Sequence, residues 1–527
     1  MALAPLIARL APLAMLGACA TAPAPTAAPV AGAVAADHPL ASRAGADVLR
    51  AGGNAVDAAI AAALSSGVVQ PPGSGLGGGG FAVVVTPDGQ ATTFDFREVA
   101  PAAATRDMFL AEGASSTKGG LAVAVPSEGI GLAKLHERFG KASLGAVAAP
   151  AIAQATAGFE TGPHLAEALL RAPEMSALFA PGNVRAGLAE ALGAWVSTRG
   201  EAFRTGWVAE DMVSAARAAG GVLTMADLAA YTVVEREPLR GTYAGHAVIT
   251  MPPPSSGGIA LLQMLGATEG VADPHCAVEA AKHAMADRAA YGGDPSFVPV
   301  DVSRLLSPER IAAIRADCGP TTFPPEHYAP PVAPAQDAGT LHISVIDGNG
   351  MAVALTTTIN TTFGSKVIAP RSGILLNNEM DDFATRPGVP NAFGLVQGET
   401  NAVAPGRRPL SSMTPTVVLG VDGRPELAVG ASGGPTIISA TFQVVRGVLD
   451  RGLTPAAAVG APRWHHQWLP NVLMLESGHP DKATFEAHGH VLKELPAFSA
   501  VQAVRRTGEG FDAASDPRKH GSPVVLP

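Results

Sequence analysis

The stretch that decides the fold is DAGTLHISVID, residues 337–347. From Thr340 to Val345 polar and apolar residues alternate, which is the period-two pattern of a β-strand with one buried face. The turn sequence DGNG follows at 347–350, and residues 356–362 then read TTTINTT, a density of hydroxyl groups that a strand does not need. These residues therefore predict a β-hairpin with Thr340 at its open end.

The length of the turn decides which residue faces Thr340. A loop with an even number of residues places Thr340 opposite Thr357. A three-residue loop with Gly350 in the left-handed conformation places it opposite Thr358. A threonine hydroxyl is a weak nucleophile unless a base lies beside it. One solution is for the threonine to become the N-terminal residue of a chain, because its own α-amine titrates at roughly pH 8 and can accept the proton.

Composition predicts a globular protein and argues against nucleic acid as a partner. The 527 residues are 47% hydrophobic and 15% charged, with 60 Gly and 45 Pro, so the chain can bury a large core and make many tight turns. The formal net charge is −9, and no run of Lys or Arg supplies the basic surface that phosphate binding requires.

The first residues are similar to an export signal. An apolar stretch over 2–17 leads to Leu16-Gly17-Ala18-Cys19, which resembles a bacterial lipobox, and an Ala/Pro-rich linker follows at 20–36. We therefore expect a signal peptide over 1–19 and a periplasmic protein. Lipidation of Cys19 would anchor it to the outer membrane, and ordinary cleavage after a small residue is the alternative.

The remaining cysteines and the histidines do not have the spacing of a metal site, and we expect no metal. Export implies an oxidising compartment, in which Cys276 and Cys318 could pair, although two free buried thiols are equally compatible with the sequence. His342, His465 and His466 are interpreted as packed or surface residues.

The rest of the chain mixes helical and strand patterns. Predicted helices include 39–50, 55–66, 129–139, 144–155 with a kink or break at Pro150, 277–291 and 436–450, and predicted strands include 81–86, 373–376 and 416–419. The glycine-rich residues 73–80 precede a strand and lack Gly-Lys-Ser/Thr, so they predict close backbone approach and not a phosphate loop. A Pro-rich segment at 320–336 is the one predicted internal boundary.

Two interpretations compete with a nucleophilic threonine. Residues 430–434 read GASGG, a G-x-S-x-G between a predicted strand and a helix, which is the nucleophile-elbow context of an α/β-hydrolase with Ser432 as nucleophile. No clear series of βαβ units precedes it. The other alternative is an exported binding lipoprotein without activity.

Several long motifs in the same order resemble the γ-glutamyltransferase (γ-glutamyl transpeptidase) family. The resemblance covers most of the chain from about Asp37 onward. The motifs that carry it lie at residues 52–59, 95–101, 253–258, 340–345, 358–364, 372–383, 408–416 and 514–518.

The resemblance implies an N-terminal nucleophile hydrolase with an α+β fold, a four-layer αββα sandwich. The precursor would cut itself between Gly339 and Thr340 after the Thr340 hydroxyl attacks the Gly339 carbonyl. A heavy chain, residues 37–339, and a light chain, residues 340–527, would together form one αββα unit.

The resemblance also implies residue roles in cleaving γ-glutamyl amides such as glutathione, without a cofactor. Thr340 would carry the γ-glutamyl group as an acyl-enzyme and pass it to water or to an amino-acid or peptide amine. Thr358 would steady Thr340, and Gly433 and Gly434 would form the oxyanion hole. The substrate's α-carboxylate would be bound by Arg97, Ser411 and Ser412, and its α-ammonium by Asn360, Glu379 and Asp382.

Three positions depart from the family's pattern. Leu341 and Met351 replace smaller or polar residues and would alter the speed of processing, and Phe393 stands where relatives often carry a Tyr on a lid over 387–403. Related cephalosporin or glutaryl acylases and poly-γ-glutamate depolymerases remain alternatives of the same fold. The retained Arg97 and Asp382 favour a γ-glutamyl donor.

Overall fold

The computed structural model describes residues 1–2, 31–179, 182–328, 339–385, 391–395 and 397–527. The predicted signal peptide, Cys19 and most of the predicted linker lie outside the described residues, as do 329–336 of the Pro-rich segment and parts of the predicted lid. The linker was predicted to reach residue 36, but 32–36 form a strand, because small Ala and Val side chains fit a closely packed sheet.

The strands belong to two large sheets and one small sheet. They are β1 (Gly32–Ala36), β2 (Gly79–Val85), β3 (Ala91–Phe96), β4 (Val234–Arg236), β5 (Leu239–Tyr243), β6 (His246–Thr250), β7 (Leu341–Asp347), β8 (Ala352–Thr358), β9 (Thr416–Leu419), β10 (Pro425–Ser432), β11 (Trp464–His465), β12 (Leu473–Glu476), β13 (Leu492–Leu495), β14 (Ala500–Thr507), β15 (Gly510–Ser515) and β16 (Val524–Leu526). The seven-stranded sheet has the order β16-β1-β7-β8-β2-β3-β4, the six-stranded sheet β15-β14-β10-β9-β6-β5, and the small sheet β11-β12-β13.

The helices lie mainly on the outer faces of the two large sheets. They are α1 (Pro39–Arg50), α2 (Ala55–Val69), α3 (Glu128–Phe139), α4 (Leu144–Ala157), α5 (Pro163–Arg171), α6 (Ala186–Thr198), α7 (Trp207–Ala218), α8 (Met225–Ala230), α9 (Gly257–Thr268), α10 (Pro274–Tyr291), α11 (Val302–Leu305), α12 (Pro308–Ala316), α13 (Thr436–Leu449), α14 (Pro455–Gly460) and α15 (Lys482–Ala487). Among the described residues, no helix is both long and apolar enough to cross a membrane.

Three apolar layers hold this arrangement together. Small and branched side chains of both large sheets, such as Val83 and Val417, pack against each other between the sheets. A second cluster joins the seven-stranded sheet to α1, α2, α4 and α6, and a third joins the six-stranded sheet to α9, α10 and α13. The predicted αββα sandwich is confirmed.

The β7–β8 hairpin has the second of the two predicted registers. Leu341 pairs with Thr357, and the N–H of Asp347 donates to the carbonyl of Met351 at 3.0 Å, so the turn between them has three residues and ends at Gly350, which has a φ of 96°. This register places Thr340 beside Thr358. The hairpin therefore brings two hydroxyl groups to the same end of the sheet.

The sequence predicted a strand with one buried face, but every residue of β7 is buried. Its polar face lies against the six-stranded sheet, where Ser344 donates a hydrogen bond to the carbonyl of Gln502 at 3.1 Å. Gly430 leaves room for the His342 ring, since a Cβ at Gly430 would lie 2.3 Å from the ring. His342, His465 and His466 are all packed in the interior.

The glycine-rich stretch makes the predicted close backbone approach. A Cβ on Gly78 would lie 1.9 Å from the carbonyl oxygen of Thr358, so no other residue fits there without moving the hairpin. The helix α4 continues through Pro150, packed against α2 and α6, so of the predicted kink or break the break does not occur. Another local prediction is wrong, because 373–376 is not a strand: Gly373, at a φ of 67°, turns the chain.

A disulfide joins Cys276 of α10 to Cys318, which resolves the question that the sequence left open. Lys282 of α10 reinforces this connection by donating hydrogen bonds to Thr322 Oγ1 at 2.6 Å and to the carbonyl of Phe323 at 2.9 Å. Residues 322 and 323 are thereby held against α10.

Candidate active site

The peptide bond between Gly339 and Thr340 lies at the start of β7, where it receives two hydroxyl groups. The hydroxyls of Thr340 and Thr358 both donate to the carbonyl oxygen of Gly339, each at 2.8 Å. The two hydroxyl oxygens are 3.2 Å apart. Thr358 is itself held in place by the backbone N–H of Asn360, which donates to its oxygen at 2.8 Å. This carbonyl is therefore polarised beside a hydroxyl nucleophile.

Thr340 and Thr358 line a cleft that gathers most of the predicted site residues. They come from distant parts of the fold: Arg97 follows β3, Glu379 and Asp382 lie on a 3-10 helix, and the Ser411–Ser412 pair precedes β9. The other predicted residues in the lining are Asn360 and Gly434. Gly433 lies next to Gly434 in the β10–α13 turn but is not in the lining.

Arg97 forms ion pairs with both Glu379 and Asp382, and all three are buried. The family resemblance assigns Arg97 to the substrate's α-carboxylate and the two acids to its α-ammonium, and the structure places the three side chains in direct contact. Burial opposes the positive charge of Arg97, but the attraction of Glu379, Asp382 and Glu98 outweighs it and raises the pKa of the guanidinium. The cluster joins a cation and an anionic pair at one point of the cleft.

Two buried acids that act on Arg97, Glu98 and Glu379, are shifted toward their protonated forms. Burial raises the pKa of Glu98 to about 8, although the charge of Arg97 opposes the shift. Burial likewise raises the pKa of Glu379 well above its ordinary value, against the same attraction. Strongly perturbed acids in a cleft are typical of functional sites.

Phe393, in the segment predicted as a lid, lines the cleft. Its ring packs on the β10–α13 turn, where a Cβ on Gly434 would lie 2.6 Å from it. Asn391, two residues earlier, donates a hydrogen bond to Asp382 at 3.3 Å. Residues 387–390 and 396 of the predicted lid lie outside the described residues.

Two cations near Thr340 were not predicted. Arg288 of α10 lines the cleft. The sequence hints at it only by placing an arginine in an alanine-rich helix, which is an unusual setting for a charged side chain. Lys519 donates to the carbonyl of Thr340 at 2.6 Å and to Ser432 Oγ at 2.7 Å. It directly follows one of the motifs, at 514–518, but no pattern connects it to Thr340.

The nucleophile-elbow interpretation of Ser432 is wrong. The strand β10 runs antiparallel to both of its neighbours, β9 and β14. In an α/β-hydrolase the nucleophile elbow instead follows a strand of a parallel sheet that is built from βαβ units. Ser432 is completely buried, and its oxygen is occupied by Lys519. Ser432, at the end of β10 in the six-stranded sheet, therefore helps to hold the start of β7 through Lys519.

Comparisons with known proteins agree with this geometry. A family model described as Gamma-glutamyltranspeptidase matches residues 41–526. The chain is 40% identical over 524 residues to the glutathione hydrolase proenzyme of Escherichia coli strain K12, covering 92% of this chain and 90% of that protein. It is 39% identical over 479 residues to the glutathione hydrolase proenzyme of Pseudomonas sp. strain A14, covering 84% and 83%. The cephalosporin acylase from Bacillus halodurans matches with a TM-score of 0.83 and 28% identity, over 96% of this chain and 99% of that one.

Proposed function

The chain belongs to the gamma-glutamyltranspeptidase family, and on that premise we propose that it is a self-processing γ-glutamyltransferase and hydrolase. It cleaves γ-glutamyl amides such as glutathione and passes the γ-glutamyl group to water or to the amine of an amino acid or peptide. One observation carries the proposal: the Gly339–Thr340 bond, polarised by two hydroxyls, lies in the same cleft as a buried arginine–carboxylate cluster.

Maturation begins at the Gly339–Thr340 bond. The Thr340 Oγ1 attacks the carbonyl carbon of Gly339, the C–N bond breaks, and the hydroxyl proton passes to the α-nitrogen, which leaves an ester. Water hydrolyses the ester to a Gly339 carboxylate and a free Thr340 hydroxyl. The hydrogen bond from Thr358 to the carbonyl oxygen supports this step, because it stabilises the negative charge that develops there.

Turnover then uses the hydroxyl and the new α-amine of Thr340 together. The amine takes the hydroxyl proton as Oγ1 attacks the γ-carbonyl, and it returns that proton to the leaving amine. The resulting acyl-enzyme is resolved by water or by an acceptor amine. Gly433 and Gly434 stabilise the oxyanion, in the role that the family resemblance assigns to them.

Substrate recognition depends on the zwitterion at the α-carbon of the γ-glutamyl group. Its ammonium is bound by Glu379, Asp382 and Asn360, and its carboxylate by Arg97 and the Ser411–Ser412 pair. The burial of Arg97 and its two acids supports this assignment, because charged hydrogen bonds shielded from water discriminate strongly against ligands that lack the matching group.

The test combines cleavage and turnover. Mass spectrometry of the purified wild type should find two fragments, one beginning at Thr340, and the protein should hydrolyse γ-glutamyl p-nitroanilide. The Thr340→Ala variant should remain one chain without activity. An uncut wild type, or an active Thr340→Ala variant, would refute the proposal, and an uncut chain that turns over nothing would favour the binding-protein alternative.

An acylase of the same fold is the second candidate, and the high structural similarity to the cephalosporin acylase favours it. An acylase for glutaryl amides would not need the acidic pair, since a glutaryl group has no ammonium. Turnover of glutaryl p-nitroanilide faster than γ-glutamyl p-nitroanilide would establish that candidate.

We also propose that the protein is exported to the periplasm and anchored there through Cys19. The lipobox-like sequence at 16–19 supports this proposal. Labelling of cells with a palmitate analogue should mark the wild type and not a Cys19→Ser variant. An unlabelled wild type with an N-terminus after another small residue would show ordinary signal cleavage instead.

A further inference from the structure

Two histidines and an aspartate from separate elements converge on one point beside α10. The Nε2 atoms of His283 and His327 lie 2.8 and 2.7 Å from the same carboxylate oxygen, Asp317 Oδ2. One nitrogen or oxygen atom of each residue lies within 4.8 Å of those of the other two. Asp317 is 34 positions from His283 and 10 from His327, which is why the spacing of the histidines predicted no metal.

The three side chains are positioned by different parts of the fold. His283 is buried on α10, Asp317 directly follows α12, and His327 ends a short 3-10 helix. The disulfide holds Cys318, the neighbour of Asp317 in sequence, on the same helix α10. A covalent bond therefore keeps the aspartate close to the first histidine.

The protonation states of the cluster suit a divalent cation. Burial and the positive charge of Arg310 lower the pKa of His283, although Asp317 opposes the shift, so this ring is uncharged at neutral pH. Burial opposes the negative charge of Asp317, but its contacts with His327 and His283 outweigh that effect and lower its pKa. Neutral imidazole and ionised carboxylate are the forms that bind metal ions, and imidazole nitrogens favour Zn²⁺ and related transition-metal ions.

The surroundings shield the imidazoles and still leave access for water. The ring of His327 stacks on Phe323 with the ring centres 4.2 Å apart, and Tyr328 packs edge-on to His283 and His327 at 4.8 and 5.1 Å. The side chains of His327 and Asp317 are 35% and 29% exposed. Water can therefore reach the cluster as a further ligand, as in zinc sites with three protein ligands.

An ion fits after a small movement of the ligands. Zinc bonds of roughly 2.0–2.2 Å in a tetrahedron separate neighbouring ligand atoms by roughly 3.4 Å, so the two nitrogens would retreat from Asp317 Oδ2 by about 0.6 Å. The partial exposure of Asp317 and His327 permits this shift. The proton of each ring would move from Nε2 to Nδ1. Arg310 Nη2, now 3.4 Å from His283 Nδ1, would turn away from that proton while Arg310 Nε keeps its bond to Asp287 at 2.9 Å.

A second cluster of the same composition does not meet these conditions. His275, Glu279 and His490 also lie close together, but the ammonium of Lys282 is 3.3 Å from Glu279 Oε1 and occupies the place of a metal ion. Within the described residues, the only side-chain partners of the Asp317 carboxylate are its two histidines. The first cluster is therefore the better receptor for a cation.

We propose that His283, Asp317 and His327 bind a divalent transition-metal ion such as Zn²⁺, with water completing the coordination. The ion joins α10 to the segment after α12, beside the disulfide, and stabilises that connection. None of the three residues lines the cleft at Thr340. The metal thus serves the fold, and the inference does not depend on the proposed function, which still needs no cofactor.

The experiment measures zinc binding by the purified whole protein after a chelator has removed bound metal. ZnCl₂ is titrated calorimetrically into the wild type, His327→Gln and Asp317→Asn. The control is His246→Gln, because His246 belongs to a simple surface pair with Glu426 at 3.3 Å. Circular dichroism of each metal-free protein checks its folding first.

We expect the wild type and the control to bind a single Zn²⁺ ion at this site. Both ligand variants should bind it more weakly, by at least the roughly 100-fold that loss of an outer-shell partner can cost. MgCl₂ should not compete, because Mg²⁺ prefers oxygen ligands. Excess Zn²⁺ should raise the Tm of the wild type more than that of either variant. No binding by the wild type, or equal binding by the variants, would overturn the proposal and leave a hydrogen-bonded cluster without an ion.

A crystal of the wild type soaked in ZnCl₂ locates the ion without any variant, and it decides the question if the variants do not fold. Data collected at the zinc absorption edge should show an anomalous difference peak between His283, Asp317 and His327. A crystal without a peak there, or with zinc only elsewhere, would refute the site.

Discussion

The hydroxyl oxygens of Thr340 and Thr358 lie 3.2 Å apart, and both hydroxyls donate to the same carbonyl oxygen, that of Gly339. This relationship follows from the three-residue turn of the hairpin, which sets the register of β7 and β8. It places the nucleophile, the bond to be cut and a second donor within hydrogen-bonding distance of one another. Maturation and turnover can therefore use one arrangement.

Replacing Thr358 by Val removes this second donor while keeping the shape of the side chain. We expect both the rate of self-cleavage and kcat to fall by about 10- to 100-fold, because a donor to the developing oxyanion is lost. A gel time course of freshly made precursor measures the first rate. Thr362→Val, outside the cleft lining, is the control, and equal rates in all three proteins would contradict the prediction.

Replacing Asp382 by Asn should change selectivity more than stability. We expect kcat/KM for γ-glutamyl p-nitroanilide to fall by about 10- to 100-fold and that for glutaryl p-nitroanilide, which lacks the ammonium, to change little. The neighbouring Asp381 is a matched control, since it accepts from Ser116 at 2.6 Å and from the N–H of Ala392 at 2.8 Å instead of contacting Arg97. Equal losses on both anilides would argue against an ammonium site.

Glu128 makes the stability of the fold depend on pH. Burial raises the pKa of its carboxyl to about 8, with only a partial offset from the Ser74 hydroxyl. The folded state thus holds a proton that the unfolded state releases at roughly pH 4.5, so stability is lost as the pH rises between those values.

We therefore expect Glu128→Gln to match the wild type at about pH 5 and to exceed it by up to ~4 kcal/mol at about pH 8.5. Urea unfolding at the two pH values measures the difference. A stability difference that is the same at both pH values would show that Glu128 is not protonated in the folded protein.

Removing the disulfide should destabilise the chain without touching the site. The bond closes a loop of sequence separation 42, so the Cys276→Ser/Cys318→Ser variant should lose about 2–4 kcal/mol through greater freedom of the unfolded state. Wild type unfolded in the presence of a reductant should give the same value. If the reductant leaves the wild type unaffected, the bond contributes no stability.

Local features were predicted well from the sequence. The helix at 39–50 and the strand at 416–419 have the predicted bounds, because caps, turns and side-chain periodicity act over a few residues. The failures share a cause. Whether the polar face of β7 meets water, and whether Pro150 breaks α4, depends on what packs against each element, and tertiary packing overrides local propensity.

The sequence by itself determined the hairpin that presents Thr340, through its periodicity and turn residues, and the resemblance of its motifs to a known family implied the αββα class and most of the residues that line the cleft. Only the tertiary structure decided that Thr358 is the partner of Thr340, that Arg97 contacts Glu379 and Asp382, and that Arg288 and Lys519 reach the site. Arg97 and Asp382 are separated by 285 positions. Contacts over such separations depend on how the sheets and helices pack in three dimensions, which no local pattern encodes.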